Sequence, residues 1–571
     1  MTVIKQRAVS QTAAEYLQHA GLSPLMARLF AARGVSDVAQ VAVNLGNLLP
    51  PHSLTNNQDM AKLLADAIQA NKKLLVIGDY DADGATATAV AVKGLRAFGA
   101  DVGFLVPNRF EYGYGLTPEI VALAATQKPD VIITVDNGIA SVDGVAAANA
   151  LGMQVLITDH HLPGQETPQA ACIINPNQHG CTFASKHLAG VGVMFYSLLA
   201  LRAEFRERGI YAQHPEPNLT ELLDLVALGT VADLVKLDEN NRILVEQGLR
   251  RIRADACSHG ITALLKIAGR EPAKTTAQDL GFYVGPRLNA AGRLDDMTLG
   301  IQCLLASTQV EATQIAQQLH TLNLQRRSIE ADMQDGANIA LDDMEMKDQY
   351  SISMFHSDWH QGVIGILASR IKERHHRPVI AFADAGDGLI KGSGRSIPGL
   401  HLRDALDLLS KHQPNLILKF GGHAMAAGLT IRGDDFELFK HGFEAVVRSL
   451  ITEADLESVL EVDGSLTSQD MTFQTAQLLE SQVWGQGFSP PLFYDEFDVV
   501  SQRVLSEKHL KLILKPVADL SATDRSGMEI DAIYFNQTDL PGDRIQAAYQ
   551  LQTNSYNGAQ KVQLNLRFVS A

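Results

Sequence analysis

Four stretches of this sequence hold carboxylates and imidazoles in patterns that could do chemistry. VIGDYDADGATATAV carries Asp79, Asp81 and Asp83 at alternate positions before Gly84; TVDNG carries Asp136; TDHH carries Asp159, His160 and His161; GTVADLV carries Asp233. Hard carboxylate oxygens joined by one or two imidazoles suit manganese or magnesium, and manganese better because of the nitrogen ligands. Crowded together, so many acids repel one another unless cations share the site. Room for five or six ligands suggests two ions sharing a bridging carboxylate, an arrangement suited to hydrolysing phosphate esters. The first stretch also opens like the calcium loop of an EF-hand, but the twelfth position counted from Asp79 is Val90, where that loop needs a bidentate Glu.

Those acids need elements that bring them together. Lys73 to Ile77 (KLLVI) reads as a strand, not as the incoming helix of an EF-hand. From about 60 to 180 the chain alternates: helix-like DMAKLLADAIQA, strand KLLVIG, small-residue helix ATATAVAVKGLRAFG, strand DVGFLVP, helix TPEIVALAATQ, strand DVIITVD, helix VDGVAAANALG, strand QVLITD, short strand AACIINP. That alternation predicts an α/β domain with a mostly parallel sheet. In such sheets ligands bind beyond the carboxyl ends of the strands, where Asp79, Asp136 and Asp159 to His161 fall. Singly, Asp136 in DNG is as well explained by a turn, and Asp159 by a helix cap. Three acidic strand tips in one unit favour a metal site. Tyr80 should point away from its Asp neighbours, into the core.

The remainder of the chain sets bounds. With 571 residues, 46% hydrophobic and 20% charged, the composition is that of an ordinary globular protein of several domains. No apolar run spans a bilayer, and the first 22 residues lack the apolar core of a secretory signal. Four cysteines without a C-x-x-C pair suit a reducing cytoplasm and argue against structural zinc. The net charge of −16 does not favour a polyanionic partner, although bound divalent ions and a local basic channel can reverse the field. The basic runs RRIR (250 to 253) and QRR (325 to 327) could supply such local potential. Residues 1 to about 55 read as helical with a break at Pro50-Pro51, and helices dominate from about 190 to 345. A second strand-helix-strand unit runs through YSISMFH, GVIGILASRIKER and RPVIAFA. After about 455, YDEFDVVSQRVL, LKLILK, MEIDAIYF and KVQLNLRFV suggest a small antiparallel barrel.

In order and spacing, DYDADG, TVDNGI, TDHH and GTVADLV resemble the four signature motifs of the DHH phosphoesterase superfamily, named for Asp159-His160-His161. NRFEYGYGL, GPRLNAAGRLDDMTLG, WHQGVIGILASRI, GSGRS, FGGHAMAAG and WGQGFSPPLF narrow the likeness to the branch of bacterial single-strand-specific exonucleases and extend it over nearly the whole chain. The resemblance implies an N-terminal helical segment (1–55), a DHH domain (56–270), a helical connector (271–345), a smaller α/β DHH-associated domain (346–454) and an OB-fold barrel (455–571). It implies removal of 5′-mononucleotides from single-stranded DNA in the 5′-to-3′ direction, with manganese or magnesium, in recombination and repair. A single-strand-binding protein and a RecQ-type helicase are partners in keeping with that role, and the cytoplasm is its place.

Asp81, Asp83, Asp136, His160 and Asp233 are the leading ligands, with Asp136 the bridge by analogy with the superfamily. Asp79 either ligates or orients a ligand, and His161 either ligates or gives a proton to the leaving 3′-oxygen. Arg395, with Ser393 and Ser396 in GSGRS, and His423 in GGHAMAAG suit phosphate contact. Arg287 and Arg293 could line the substrate path, or bridge to Asp295 or Asp296. Tyr112, Tyr114 and Trp359 are candidates for stacking on bases, though such aromatics are more often core. His360 and Gln361 precede a helix whose first amides could hold a phosphate. The alternatives are an oligonucleotide or small-nucleotide phosphodiesterase of the same superfamily, which would lack the barrel-like extension, and a catalytically silent binding protein.

Overall fold

The computed structural model describes residues 2–108, 112, 115–342, 348–467, 469–517, 529–556 and 559–570. The chain forms two compact units, one from Gln6–His320 with Glu461–Ala571 and the other chiefly from Thr321–Leu460. Among the described residues no helix is long and apolar enough to cross a membrane.

The first unit is built on a parallel sheet. Its strands are β1 (Lys73–Gly78), β2 (Asp101–Leu105), β3 (Val131–Val135), β4 (Gln154–Thr158) and β5 (Cys172–Ile174), side by side in the order β2-β1-β3-β4-β5. All but edge strand β2 are near-continuous apolar runs, because helices cover both faces of a parallel sheet; Leu74 to Ile77 and Val131 to Ile133 are almost wholly buried. Helix α1 (Ala82–Ala97) returns from β1, and its Ala, Thr and Gly residues let it pack closely on the sheet and on α2 (Gly190–Glu207). Helices α3 (Leu223–Ala232) and α4 (Gly285–Leu294) complete the surround of the site.

Strand order reverses at β1, so the switch point lies between the carboxyl ends of β1 and β3, where ligands bind in folds of this kind. The register sharpens this. Gly78 pairs with Val135, Val135 with Thr158, and Thr158 with Ile174. The residues that follow, Asp79, Asp136, Asp159 and Asn175, therefore leave the sheet along one line.

A closed five-stranded barrel belongs to the same unit. Strand His509–Pro516 alternates half-buried and buried residues through its whole length, as a barrel wall must. One wall, Arg544–Tyr556, is a strand that the sequence reading passes over; its Ala547, Ala548 and Tyr549 are buried.

The second unit contains most of the long helix α5 (Gln309–Asp342), then β6 (Ile352–His356), α6 (Ile364–His375), β7 (Val379–Gly386), β8 (Leu389–Arg395), β9 (Lys419–Gly422) and β10 (Ala426–Arg432). Its sheet runs β9-β10-β8-β7-β6, with only β6 and β7 parallel. One expectation is corrected. The N-terminus is not all helical, since Thr2–Gln6 is a strand paired with Ser458–Val462. The first four residues of GSGRS close the central strand β8. A Cβ at Gly392 would stand 2.6 Å from Phe382 Cε1, so that glycine is set by core packing.

Candidate active site

The chain turns from β1 into α1 through Asp79 to Asp83. Tyr80 N donates to Asp79 Oδ1 (2.8 Å), and Asp81 caps α1 by accepting from Asp83 N (2.9 Å) and Gly84 N (3.0 Å). Asp83, inside the first turn, is buried. Its two oxygens accept from Gly190 N (2.7 Å) and Val191 N (2.9 Å) at the start of α2. Helix N-termini favour such anions. Burial and the Asp81 charge outweigh that help and push the Asp83 carboxyl up to about 7.

Asp136 takes a left-handed backbone (φ 61°) at the tip of β3, with its N–H still bonded to Thr158 O (3.0 Å). Such a conformation is strained for most side chains and is tolerated best by Asn and Asp. The start of α2 presses on it: a Cβ at Gly190 would stand 2.6 Å from Asp136 Cβ and Oδ1. Asn137 holds the crossing by donating to Val135 O (2.9 Å) and Ile77 O (3.2 Å).

At the tip of β4, buried Asp159 acts on its two neighbours rather than reaching the cluster. Its Oδ1 accepts from His160 N (2.7 Å), His161 N (3.1 Å) and His161 Nδ1 (2.8 Å), and its Oδ2 accepts from Ile139 N (2.9 Å). Burial pushes the Asp159 carboxyl up, but the His161 bond and both imidazoles hold it down at about 2. Burial pushes the His161 imidazole down, yet Asp159 brings it up to about 9. Asn175 and Asn177, from the next strand tip, donate to His161 O (2.8 Å) and His160 O (2.6 Å) and fix the backbone.

His160 Nε2 then lies 3.1 Å from Asp136 Oδ1, 3.5 Å from Asp233 Oδ2 and 4.0 Å from Asp83 Oδ2. Asp233 closes α3, where the helix dipole repels a carboxylate. Burial first, and then the neighbouring carboxylates, push Asp136 and Asp233 well above the usual carboxylate range.

The ligand atoms fall into three overlapping groups, each within 4.8 Å: Asp136, His160 and His161; Asp83, His160 and Asp233; Asp79, Asp81 and Asp136. Asp136 belongs to two groups, as a carboxylate shared between two cations would; His160 also falls in two, but the single lone pair of its imidazole serves one cation. Asp136 Oδ1 is buried and accepts no hydrogen bond. An acidic cluster of this density with a shared, unbonded oxygen fits two divalent ions.

Helix α4 braces this loop. Asn289 Oδ1 accepts from Ala82 N (2.8 Å), and a Cβ at Gly292 would stand only 1.9 Å from Tyr80 O. Nothing in the acidic motifs announces Asn289, Gly292, Asn175 or Gly190. Their signal is the glycines and amides of GPRLNAAGR, INPN and LAGVG, which only contacts in three dimensions explain. Arg287 of the same helix is buried and donates to Tyr283 O (2.5 Å), while Arg293 is half-buried in the last turn. Tyr80 is half-buried, Tyr112 is half-buried against the core beneath the sheet, and Tyr114 lies outside the described residues.

In the second unit Arg395 ends β8. Its Nη1 donates to Gly394 O (2.8 Å) and Ser393 Oγ (3.3 Å). A Cβ at Gly365 would stand 2.9 Å from both Arg395 Nη2 and Ser393 Oγ, so the guanidinium lies against the first turn of α6. A cation at the positive end of a helix is the reverse of the dipole's preference. No carboxylate pairs with it among the described residues, and burial pushes its pKa down. Arginine, hydroxyl and helix N-terminus together fit an anion.

The other candidates of this unit are placed less directly. His360 Nδ1 accepts from Gly362 N (3.0 Å), and Gln361 donates to Asp384 O (2.9 Å) just ahead of that helix. Ser396 is buried and donates to Leu400 O (2.8 Å). His423 is exposed in the turn joining β9 to β10. Trp359 is 8% exposed, with its ring facing His356. The basic runs are largely answered by acids, Arg250 and Arg253 by Glu246, and Arg326 by Glu330.

The same domains are found by comparison with known proteins. The DHH family, N-terminal domain, matches residues 73–230, the DHHA1 domain residues 347–449, and the RecJ OB domain residues 462–567. The single-stranded-DNA-specific exonuclease RecJ of Dickeya dadantii is 49% identical over 550 residues, 95% of each chain. That of Escherichia coli is 47% identical over 573 residues, 98% of each. The crystal structure of RecJ in complex with Mn2+ from Thermus thermophilus superposes with a TM-score of 0.81 at 29% identity, covering 100% of this chain and 79% of that one.

Proposed function

The chain belongs to the RecJ family, and from that premise we propose that it degrades single-stranded DNA from the 5′ end, releasing 5′-mononucleotides by phosphodiester hydrolysis. It is a single-stranded-DNA-specific exonuclease that uses Mn2+ or Mg2+. The observation that supports the mechanism is that Asp136 belongs to two neighbouring ligand groups at the switch point of the sheet.

Bound Mn2+ or Mg2+ supplies Lewis-acid stabilisation of the phosphoryl charge and an acidified water. Asp79, Asp81, Asp83, Asp136, His160 and Asp233 are the residues that would hold it. The α2 N-terminus grips Asp83 from behind, and Asn137 and the α4 brace fix the loops, so the ligands are placed before any substrate arrives. His161, oriented by its bond to Asp159, is suited either to complete a ligand group with Asp136 and His160 or to give a proton to the leaving 3′-oxygen. Arg395, Ser393 and the first turn of α6 hold a phosphate of the strand, and exposed His423 is a further contact. The barrel guides the strand. A single-strand-binding protein and a RecQ-type helicase supply the strand in repair and recombination, in the cytoplasm.

The test uses 5′- and 3′-labelled single strands, with duplex DNA and RNA, in Mn2+ or Mg2+. We expect the 5′ label to leave first, as a mononucleotide, from single-stranded DNA. Loss of the 3′ label first, or equal cutting of duplex, overturns the direction or the specificity.

A further inference from the structure

We propose that Phe282 is a stacking platform for one base of the strand held at the metal centre, an inference that rests on the single-strand nuclease reading. At 74% exposure it is the most exposed large hydrophobic residue among those described. It lies in a π-helical turn, Leu280–Val284, directly ahead of α4. Such turns are rare, rotate one residue out of the helical pattern, and are frequent at functional sites.

Everything around Phe282 on that turn is anchored. Leu280 and Val284 are wholly buried, and the Arg270 guanidinium covers the Tyr283 ring at 3.9 Å. Gly281 and Gly285 pack against the end of α3: a Cβ on either would stand 3.2 Å from Val231 or Ala232. Asp233 is the next residue of that helix, and Leu234 beyond it is 68% exposed with a left-handed backbone (φ 59°). The other end of the turn continues into α4, whose Asn289 and Gly292 touch the Asp79–Asp83 loop. The turn is thus tied to two of the elements that carry the ligands. Phe282 and Leu234 are exposed apolar side chains on those same elements.

A lone exposed ring tied to a centre that hydrolyses phosphodiesters matches the face of a base. Stacking needs no particular sequence, which suits an enzyme that must pass along any strand. The aromatics that sequence alone suggests are less available, since Trp359 is buried and Tyr112 is packed on the core. Phe282 was invisible as a candidate because GFYVGP reads as an ordinary apolar run; only the π turn turns it outward.

The experiment measures kcat and KM of the full-length protein, Phe282→Ala and Phe282→Trp in Mn2+. The substrates are 5′-phosphorylated oligothymidylates, intact or with one abasic residue at each of the first five positions. For wild type we expect one position where base removal raises KM about 5- to 100-fold, the scale of one stacking contact. F282A raises KM by a similar factor on intact strands and becomes indifferent to that position; F282W restores both. The Mn2+-induced rise in Tm stays as in wild type. Wild-type protein that discriminates no abasic position, F282A with wild-type KM, F282A that still discriminates the same position, or loss of the Mn2+ shift overturns the proposal. Wild-type protein that releases no nucleotide from any strand overturns the nuclease reading itself, and this role with it.

Discussion

The two units bury opposite and incomplete charges. At the edge of the parallel sheet, Asp83, Asp136 and Asp233 crowd around His160 with their carboxyls driven upward. At the edge of the second sheet, the Arg395 guanidinium meets the positive end of a helix and no acid among the described residues. At one other place the same chain pairs a buried charge in full. Arg33 and Asp463 form a two-pronged bridge at 3.0 and 2.9 Å, with side chains 1% exposed. Charge that a fold leaves unanswered while answering it elsewhere marks where a ligand completes the structure. One edge lacks cations and the other lacks an anion, which is what a metal-dependent nuclease must supply from its cofactor and its substrate.

The largest expected effect comes from the acidic edge. Asp136→Asn keeps a side chain that tolerates the left-handed backbone while removing the shared charge. Cleavage should fall on the order of a thousand-fold, and the metal-free protein should become more stable, read as Tm. Near-normal cleavage would undo the assignment of Asp136 as the shared ligand.

The pH dependence of stability sharpens the same contrast. The folded-state carboxyl pKa of Asp83 is raised to about 7, and those of Asp136 and Asp233 lie above the usual range. The stability they contribute is full below the unfolded value of about 4 and is lost as pH rises through the folded one. The Tm of chelator-treated protein should therefore fall from pH 5 to 8, and saturating Mn2+ should flatten that fall. A metal-free Tm that climbs over this range would break the comparison.

The basic edge should respond differently. Arg395→Ala should raise KM about 10- to 100-fold, the range for a hydrogen bond to a charged group, with no loss of Tm, because it removes a buried cation that no acid answers. Arg395→Lys should recover little, since an ammonium cannot make the two-pronged contact. A marked loss of Tm would make Arg395 structural instead. The smallest pair of effects tests the brace. Gly292→Ala must displace Tyr80 O and should lower kcat more than Asn289→Ala, which removes one backbone bond of about 1 kcal/mol.

The candidate metal cluster was legible because it follows from local facts. A strand ends where its apolar run ends, so Asp79, Asp136 and Asp159 had to stand at one edge of a parallel sheet. The barrel was legible from alternation, although the Arg544–Tyr556 wall was passed over. The place of GSGRS was not legible, because glycine looks alike in a loop and in a strand pressed by Phe382. Trp359 and Phe282 show the same limit: an aromatic side chain has one chemistry, and its surroundings decide whether it fills a core or faces solvent.

By itself, then, the sequence determined which atoms could bind metal and on which sheet edge they stand, since residue type and strand period are properties of short segments. The tertiary structure alone decided how those atoms are charged and held: Asp159 spent on His161, Asp83 seized by the start of a helix more than a hundred residues away, Asp136 pressed by Gly190. Such effects depend on burial and on contacts between distant segments, and no local pattern encodes either.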